Sequence, residues 1–280
     1  MFWKEILVKG GLGNQLFCLL QAYRLKCSFE DSEVALNITG YSINKSRLDR
    51  SFLLSKLYPE ISDEFHLVSN KSSIFNFFLA KVFEKFFAKS CKKRIYGDKV
   101  FKLRLWFKSY LYSGYFQKID NTQLDLKALK MLKRKLFPFI SALEKNNYLA
   151  IHLRRGDYLN KKHSIHGIIQ EKYLLSEAKR LLKKCYFEGI TIFTDSPELV
   201  DLLMYKKIHK NIILDSGGEP TEVLKRMANH KGIIASNSTF SLWAGILGNV
   251  EYFSIPYFWM KNQKSSLLGL KHINRYKCSI

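Results

Sequence analysis

Acidic residues, paired cysteines and long apolar runs are all scarce in this chain, and each absence removes a class of protein. Only 24 Asp and Glu stand against 46 Lys and Arg in 280 residues, a formal charge of +22. The five cysteines, Cys18, Cys27, Cys91, Cys185 and Cys278, are scattered and never form a Cys-x-x-Cys pair. That argues against a disulfide framework and a thiolate metal site, and fits a reducing cytoplasm. No apolar stretch nears the ~20 residues of a membrane-spanning helix. Residues 1–10 lack the basic-then-apolar order of a secretory signal, so the expected location is the cytoplasm. Asp-x-Asp, the usual carboxylate pair for a cation bound to a sugar nucleotide, occurs nowhere. No metal and no cofactor are therefore expected. Internal repeats and low-complexity segments are also missing.

What is present is a globular composition. A hydrophobic share of 47% and an aromatic share of 14% exclude a disordered chain. At roughly 150 residues per domain, the length fits about two domains. The positive charge asks for an acidic partner, and nucleic acid, anionic lipid and phosphorylated small molecules all meet that demand.

From residue 148 onward, short apolar strands alternate with amphipathic helices. The pattern predicts strands at 148–153, 190–194, 212–214, 233–235 and 252–255. Between them it predicts helices at 168–184, from Pro197 with Ser196 as its cap, at 221–230 and at 240–247. This alternation means a parallel α/β sheet. The N-terminal part opens the same way, with a strand at 5–8, a glycine turn, a helix to Lys26 and a strand at 34–38, and then blurs after Gly40. Two α/β domains are predicted, 1–145 and 146–280.

Ligands of an open parallel sheet bind beyond the carboxyl ends of its strands. Three polar turns fall there: His152 to Tyr158, Thr194 to Glu198, and Ser236 to Ser241. His152 and Arg154 are two apart, so a strand points them to one face and Arg155 to the other. Guanidinium groups at a strand end can hold a pyrophosphate by paired charge-assisted hydrogen bonds. The plainer reading is that one or both Arg pair with Asp157 to hold the turn, and that His152 is a hydrogen-bonded structural histidine. The Ser236–Thr239 turn opens a helix whose free N–H groups attract anions, although N-capping alone accounts for one hydroxyl. Asp195 can be no more than the residue before a cap. Gly10-Gly11-Leu12-Gly13-Asn14-Gln15 lets backbone approach a ligand. It is neither a dinucleotide fingerprint, for want of a third glycine at Leu16, nor a Walker loop, for want of the lysine. His163 and His166 have no third metal ligand nearby. The residues together suit a nucleoside diphosphate held without metal.

Four segments in order carry a resemblance. They are Gly-Gly-Leu-Gly-Asn-Gln at 10–15, His-Leu-Arg-Arg-Gly-Asp-Tyr at 152–158, Ile-Phe-Thr-Asp-Ser-Pro-Glu at 192–198 and Ser-Asn-Ser-Thr-Phe-Ser-Leu-Trp-Ala at 236–244. The chain resembles the bacterial α-1,2-fucosyltransferases, glycosyltransferase family 11. The resemblance implies a GT-B-like fold, two Rossmann-like domains facing a cleft. It also implies inverting, metal-free transfer from GDP-β-L-fucose to the 2-hydroxyl of a galactose residue. The acceptor would be a surface-polysaccharide precursor of the O-antigen type, carried on a lipid diphosphate. By the same resemblance Arg154 holds the β-phosphate, His152 contacts the nucleotide, and Asn14 lies near fucose and acceptor. Arg155, Gly11, Gly13, Asp195, Asn237, Ser238, Thr239 and Ser241 fall among the donor contacts, and Asp157 is the candidate base. The family's guanine-reading acid aligns with Val223, which leaves the adjacent Glu222 as its substitute.

Residues 71–108 carry 11 basic and 2 acidic side chains interleaved with phenylalanines. The spacing predicts a helix with Phe77, Phe78, Val82 and Phe86 as one apolar stripe, and Lys81, Lys85 and Lys89 four apart. Peripheral contact with an anionic membrane is expected of this segment. A non-enzymatic nucleic-acid or anionic-surface binder is the competing class and leaves the strand-end motifs unexplained, so no nucleic-acid partner is expected. A related GDP-sugar transferase of different linkage is the competing enzyme.

Overall fold

The computed structural model describes residues 3–29, 33–43, 51–90, 101–104, 110–120, 122–140, 145–156, 167–248, 250–260, 263–264, 273–276 and 278. The chain divides into two compact units, Met1–Leu136 and Phe137–Ile280, where the sequence places the boundary at 145/146.

In the first unit, β1 (Trp3–Leu7) leads into α1 (Leu12–Ser28), and β2 (Glu33–Asn37) returns parallel to β1. Three short helices, α2 (Thr39–Ile43), α3 (Leu54–Leu57) and α4 (Ile61–Glu64), precede β3 (His66–Val68). The long α5 (Lys71–Ser90) is followed by β4 (Phe101–Arg104), β5 (Tyr110–Ser113) and α6 (Gln123–Ile140). The sheet order is β3-β2-β1-β5-β4, parallel except for β4, which runs antiparallel to β5. Helix α1 is apolar on most sides and buries Leu12, Leu16, Phe17, Leu19, Leu20 and Tyr23. Its buried Arg24 donates to Asp125 of α6 at 2.6 Å and to the Lys118 carbonyl at 2.6 Å. These bonds meet a charge that would otherwise be costly to bury.

Helix α5 forms as expected, but its predicted stripe is split. Phe77 turns into the core with Leu7, Ala80 and Leu111, whereas Phe78 and Val82 stay exposed. The side chain of Phe86 lies outside the described residues.

The second unit alternates strand and helix: β6 (Asn146–Leu153), α7 (Glu171–Lys184), β7 (Gly189–Thr194), α8 (Leu202–Lys206), β8 (Ile212–Leu214), α9 (Pro220–Ala228), β9 (His230–Ile234), α10 (Thr239–Gly248) and β10 (Tyr252–Pro256). A short antiparallel pair, β11 (Phe258–Met260) and β12 (Gln263–Lys264), precedes the edge strand β13 (Asn274–Tyr276). The sheet order is β13-β10-β9-β6-β7-β8, all parallel. Counted within the unit this is the 3-2-1-4-5-6 order of a Rossmann sheet, with its direction of winding reversing between β6 and β9. Both units are thus Rossmann-like α/β structures, as the sequence predicts. In the first unit the corresponding reversal falls between β1 and β5.

The core of the second unit packs Leu149, Ile151 and Leu153 of β6 against Leu174, Ala178 and Leu181 of α7. Helix α9 starts with Pro220, carries Glu222 in its first turn and Lys225 and Arg226 in its last. That distribution suits both the helix start and the macrodipole. Two predicted helix limits need correction. Ser196 makes no side-chain cap; a 3-10 turn occupies Pro197–Leu199, and Asp201 caps α8 by accepting from the Leu203 N–H at 3.0 Å. His230 belongs to β9 rather than to α9, because its Nδ1 bonds back to the Arg226 carbonyl at 2.9 Å and closes the helix. Among the described residues, no helix is long and apolar enough to cross a membrane.

Candidate functional site

The winding reversal of the second sheet separates β6 and β9, and the residues at their carboxyl ends meet there. His152, 5% exposed near the end of β6, pairs through Nδ1 with the hydroxyl of Ser236 just beyond β9, at 2.9 Å. Burial, reinforced by the positive charge of Arg154 and opposed by Asp195, pushes the imidazole down to about 3. At neutral pH His152 is therefore uncharged. It can offer a hydrogen bond, but it cannot act as a cation for phosphate. The Phe240 ring lies 6.1 Å from the imidazole, centroid to centroid.

Arg154 follows β6 and forms an ion pair through Nη1 with Asp195 Oδ2 at 2.9 Å. The other oxygen of Asp195 accepts from the Arg155 N–H at 2.8 Å and the Gly156 N–H at 3.1 Å. One carboxylate at the end of β7 thus fixes the backbone of the β6 turn and the guanidinium it carries. A Cβ at 156 would lie 2.5 Å from Asp195 Oδ2, so a larger residue there would displace the carboxylate. Arg155 points to the other face, as its strand position predicts. Its guanidinium donates to the Ile169 carbonyl at 2.9 Å and to Glu171 Oε1 at 3.2 Å, and Tyr205 donates to the second Glu171 oxygen at 3.1 Å. Arg155 is therefore placed as an anchor of the turn onto α7. Asp157, the expected partner of these arginines, lies outside the described residues, as do His163 and His166.

The turn after β9 divides its labour. Asn237 is buried and donates to the carbonyls of Gly167 at 3.2 Å and Trp259 at 3.3 Å. Ser238 caps α10, its hydroxyl accepting from the Phe240 N–H at 3.3 Å. The fully buried Ser241 donates back to the Ser238 carbonyl at 3.3 Å. Thr239, half-buried, takes the first position of α10. The N–H groups of that first turn add the partial positive charge of a helix amino terminus. On α9, Glu222 is exposed and pairs with Lys225 at 2.8 Å.

The first unit builds its turn from neutral groups. Gly10 has φ +81°, and a Cβ there would fall 2.5 Å from Asn14 Nδ2. Its carbonyl accepts from Gln15 Nε2 at 3.1 Å and the Tyr41 hydroxyl at 2.8 Å. Buried Gln15 also donates to the Ser51 carbonyl at 2.9 Å and accepts from the Leu53 N–H at 2.9 Å. Gly11 precedes α1 and accepts from the N–H groups of Asn14 at 2.9 Å and Gln15 at 3.0 Å, with Gly13 buried in the first turn. Across the reversal, Gln117 Nε2 donates to Asn14 Oδ1 at 2.8 Å. This bond fixes the Asn14 amide so that its NH2 remains the donor end. The residue before it, Phe116, holds φ +53°, a costly conformation for a bulky side chain. Lys9 Nζ reaches Ser113 Oγ at 3.4 Å and lies 4.9 Å from the Tyr115 ring centroid.

Ser236, Glu171, Gln15 and Gln117 are absent from the residues singled out by sequence. Only Gln15 and Ser236 lie in a quoted motif; Gln117 meets Asn14 across 103 positions, a contact that no local pattern encodes. Among the described residues, no group of three or more His, Cys, Asp or Glu is placed to hold a metal ion.

The chain is similar to several known proteins. A curated Escherichia coli protein, the O-antigen biosynthesis glycosyltransferase WbnK, is 25% identical over 313 aligned positions that span 95% of this chain and 98% of the relative. Among solved structures, the E. coli heptosyltransferase WaaC with ADP aligns at a TM-score of 0.48 and 9% identity, covering 99% of this chain and 93% of that one. A glycosyl transferase family 9 protein from Veillonella parvula aligns at a TM-score of 0.44 and 9% identity, covering 99% and 86%. The profile of glycosyl transferase family 11 matches residues 5–266, and the chain belongs to that family of glycosyltransferases.

Proposed function

We propose that the protein transfers L-fucose from GDP-β-L-fucose to the 2-hydroxyl of a galactose residue, with inversion and without a metal ion. The acceptor would be a lipid-linked precursor of an O-antigen-type polysaccharide. The observation that carries this reading is the strand-end turn of the second unit. There Asp195 holds Arg154 at 2.9 Å, at the winding reversal where Rossmann sheets take nucleotides.

As the bond from fucose to the β-phosphate breaks, negative charge grows on the departing GDP. Arg154, with its five N–H donors, and the N–H groups at the start of α10 supply fixed positive potential for that charge. Neutral His152, fixed by Ser236, offers a hydrogen bond without competing for charge. Thr239 adds a hydroxyl donor, and Glu222 is assigned to the guanine edge. In the first unit, Asn14 presents its amide NH2 to a sugar hydroxyl while Gln117 holds its oxygen. Asp157 retains its assignment as candidate base. The similarity to an E. coli O-antigen biosynthesis glycosyltransferase supports the O-antigen assignment.

Purified protein should be incubated with GDP-fucose, GDP-mannose or UDP-galactose and a panel of β-galactosides, with and without EDTA. The expected result is one product, bearing fucose linked α1→2 to galactose by NMR, at a rate unchanged by EDTA. Transfer from another donor, or a different linkage, would replace this assignment. Complete loss on chelation, restored by manganese, would overturn the metal-free mechanism.

A further inference from the structure

Helix α5 turns polar Ser73 and Asn76 inward beside Phe77 and leaves Phe75, Phe78 and Val82 outward. On its inner side, buried Ser73 bonds to Asn70 Oδ1 through its N–H at 2.9 Å and its hydroxyl at 2.7 Å. Buried Asn76 donates to Glu5 Oε2 of β1 at 3.0 Å. Phe77 and Ala80 complete that side against Leu7 and Leu111. On the outer side Phe75, Phe78 and Val82 are 67%, 53% and 50% exposed. Their spacing of i, i+3 and i+7 makes them one stripe. The sequence of α5 also contains Lys71, Lys85 and Lys89. Lys81 is exposed on its flank.

An ordinary surface helix does the reverse, since leaving three large apolar side chains in water forfeits their burial. The Asn76–Glu5 bond and the packing of Phe77 on Leu7 and Leu111 fix the rotation of α5, so the helix cannot roll to hide the outer stripe without breaking them. We propose that this outward face docks on an anionic bilayer, with α5 lying flat in the interface. Its rings would sit at the acyl boundary and its lysines at the lipid phosphates. The charge fits: residues 71–108 hold 11 basic and 2 acidic side chains, and lipid phosphate supplies the complement. A nucleic-acid backbone would leave the phenylalanines unused, and a second copy of this chain would bring like charge against the lysines. The inference does not depend on the identity of the sugar donor.

Co-sedimentation of the full chain should be compared on vesicles of phosphatidylcholine alone and of phosphatidylcholine mixed with phosphatidylglycerol. Binding is expected to the anionic vesicles and should fall steeply with added salt. Phe75→Ser/Phe78→Ser/Val82→Ser should lower partitioning by about tenfold or more while keeping the thermal transition, because the stripe contributes little to the core. Lys81→Gln/Lys85→Gln/Lys89→Gln should lower it too and flatten the salt dependence. Undiminished vesicle binding by the triple serine variant would overturn the proposal. So would self-association that this variant abolishes, or retention on duplex DNA by a parent that ignores vesicles.

Discussion

The turn after β6 is held by ions, whereas the turn after β1 is held by amides and a phenol. In the second unit, Asp195 takes a guanidinium and two backbone N–H groups, and Arg155 is sunk onto Glu171 and the Ile169 carbonyl. In the first, Gln15, Tyr41 and the Asn14–Gln117 pair do the same work without formal charge. The difference follows from what each turn is proposed to meet. A diphosphate needs fixed positive charge that does not reorganise as the leaving group forms, and a carboxylate clamp supplies that fixity. Sugar hydroxyls need direction more than charge, and a locked amide supplies it.

The largest expected effect tests the charged turn. Arg154→Ala should reduce kcat/KM by roughly a hundredfold or more, about 3 kcal/mol of transition-state stabilisation. Arg154→Lys should fail as well, because a point charge does not reproduce the planar fork. Steady-state transfer by the folded variants measures both. Next, Asp195→Ala removes the acceptor of two N–H groups and the partner of Arg154. A cost of about 2 kcal/mol is expected, seen mainly as a raised KM for GDP-fucose. Asp195→Asn keeps an acceptor oxygen and should recover thermal stability more fully than activity.

The neutral turn is tested by Gln117→Leu, which keeps bulk but frees the Asn14 amide to rotate. Roughly a tenfold fall in kcat is expected from lost positioning, with the donor KM unchanged. An equal rise in donor KM would place Gln117 with the charged turn instead. A separate readout, stability against pH, tests His152. Its folded value lies near 3, against 6.5 for the ordinary side chain. Its neutral form therefore stabilises the fold fully above 6.5, and that contribution is lost as pH falls from 6.5 toward 3. Denaturant midpoints should drop over that window in the parent and drop less in His152→Gln, with the similarly depressed His230 accounting for the remainder.

The second unit was the more legible in sequence because each βα repeat is local. Apolar runs such as Ile190–Phe193, the Pro220 start of α9 and the Ser238-capped start of α10 carry their signals within a few residues. The strand order was not legible, and neither was β13, whose Asn-Arg-Tyr has no apolar pattern and is held by pairing with β10 and by the Tyr276 hydroxyl on the Ala235 carbonyl at 2.7 Å. In the first unit, β3, β4 and β5 are three or four residues long and arise from pairing rather than from local propensity. At the sites, the motif turns were readable, but the partners of their side chains were not. Asp157, the expected mate of the arginines, lies outside the described residues; Arg154 pairs with Asp195 at the end of β7 and Arg155 with Glu171 of α7, contacts that no local pattern encodes. The α5 stripe was misassigned for a related reason. Periodicity alone gives Phe77 and Phe78 equal claims, and the tie of Asn76 to Glu5 with the packing of Phe77 on Leu7 and Leu111 fixes which of them turns inward.

Calorimetric titration of GDP and of guanosine into the parent and into Arg154→Ala tests the central claim most directly. The parent should bind GDP well above guanosine, and Arg154→Ala should lose that difference while binding guanosine as before. Unchanged GDP affinity in a folded Arg154→Ala protein would contradict the account.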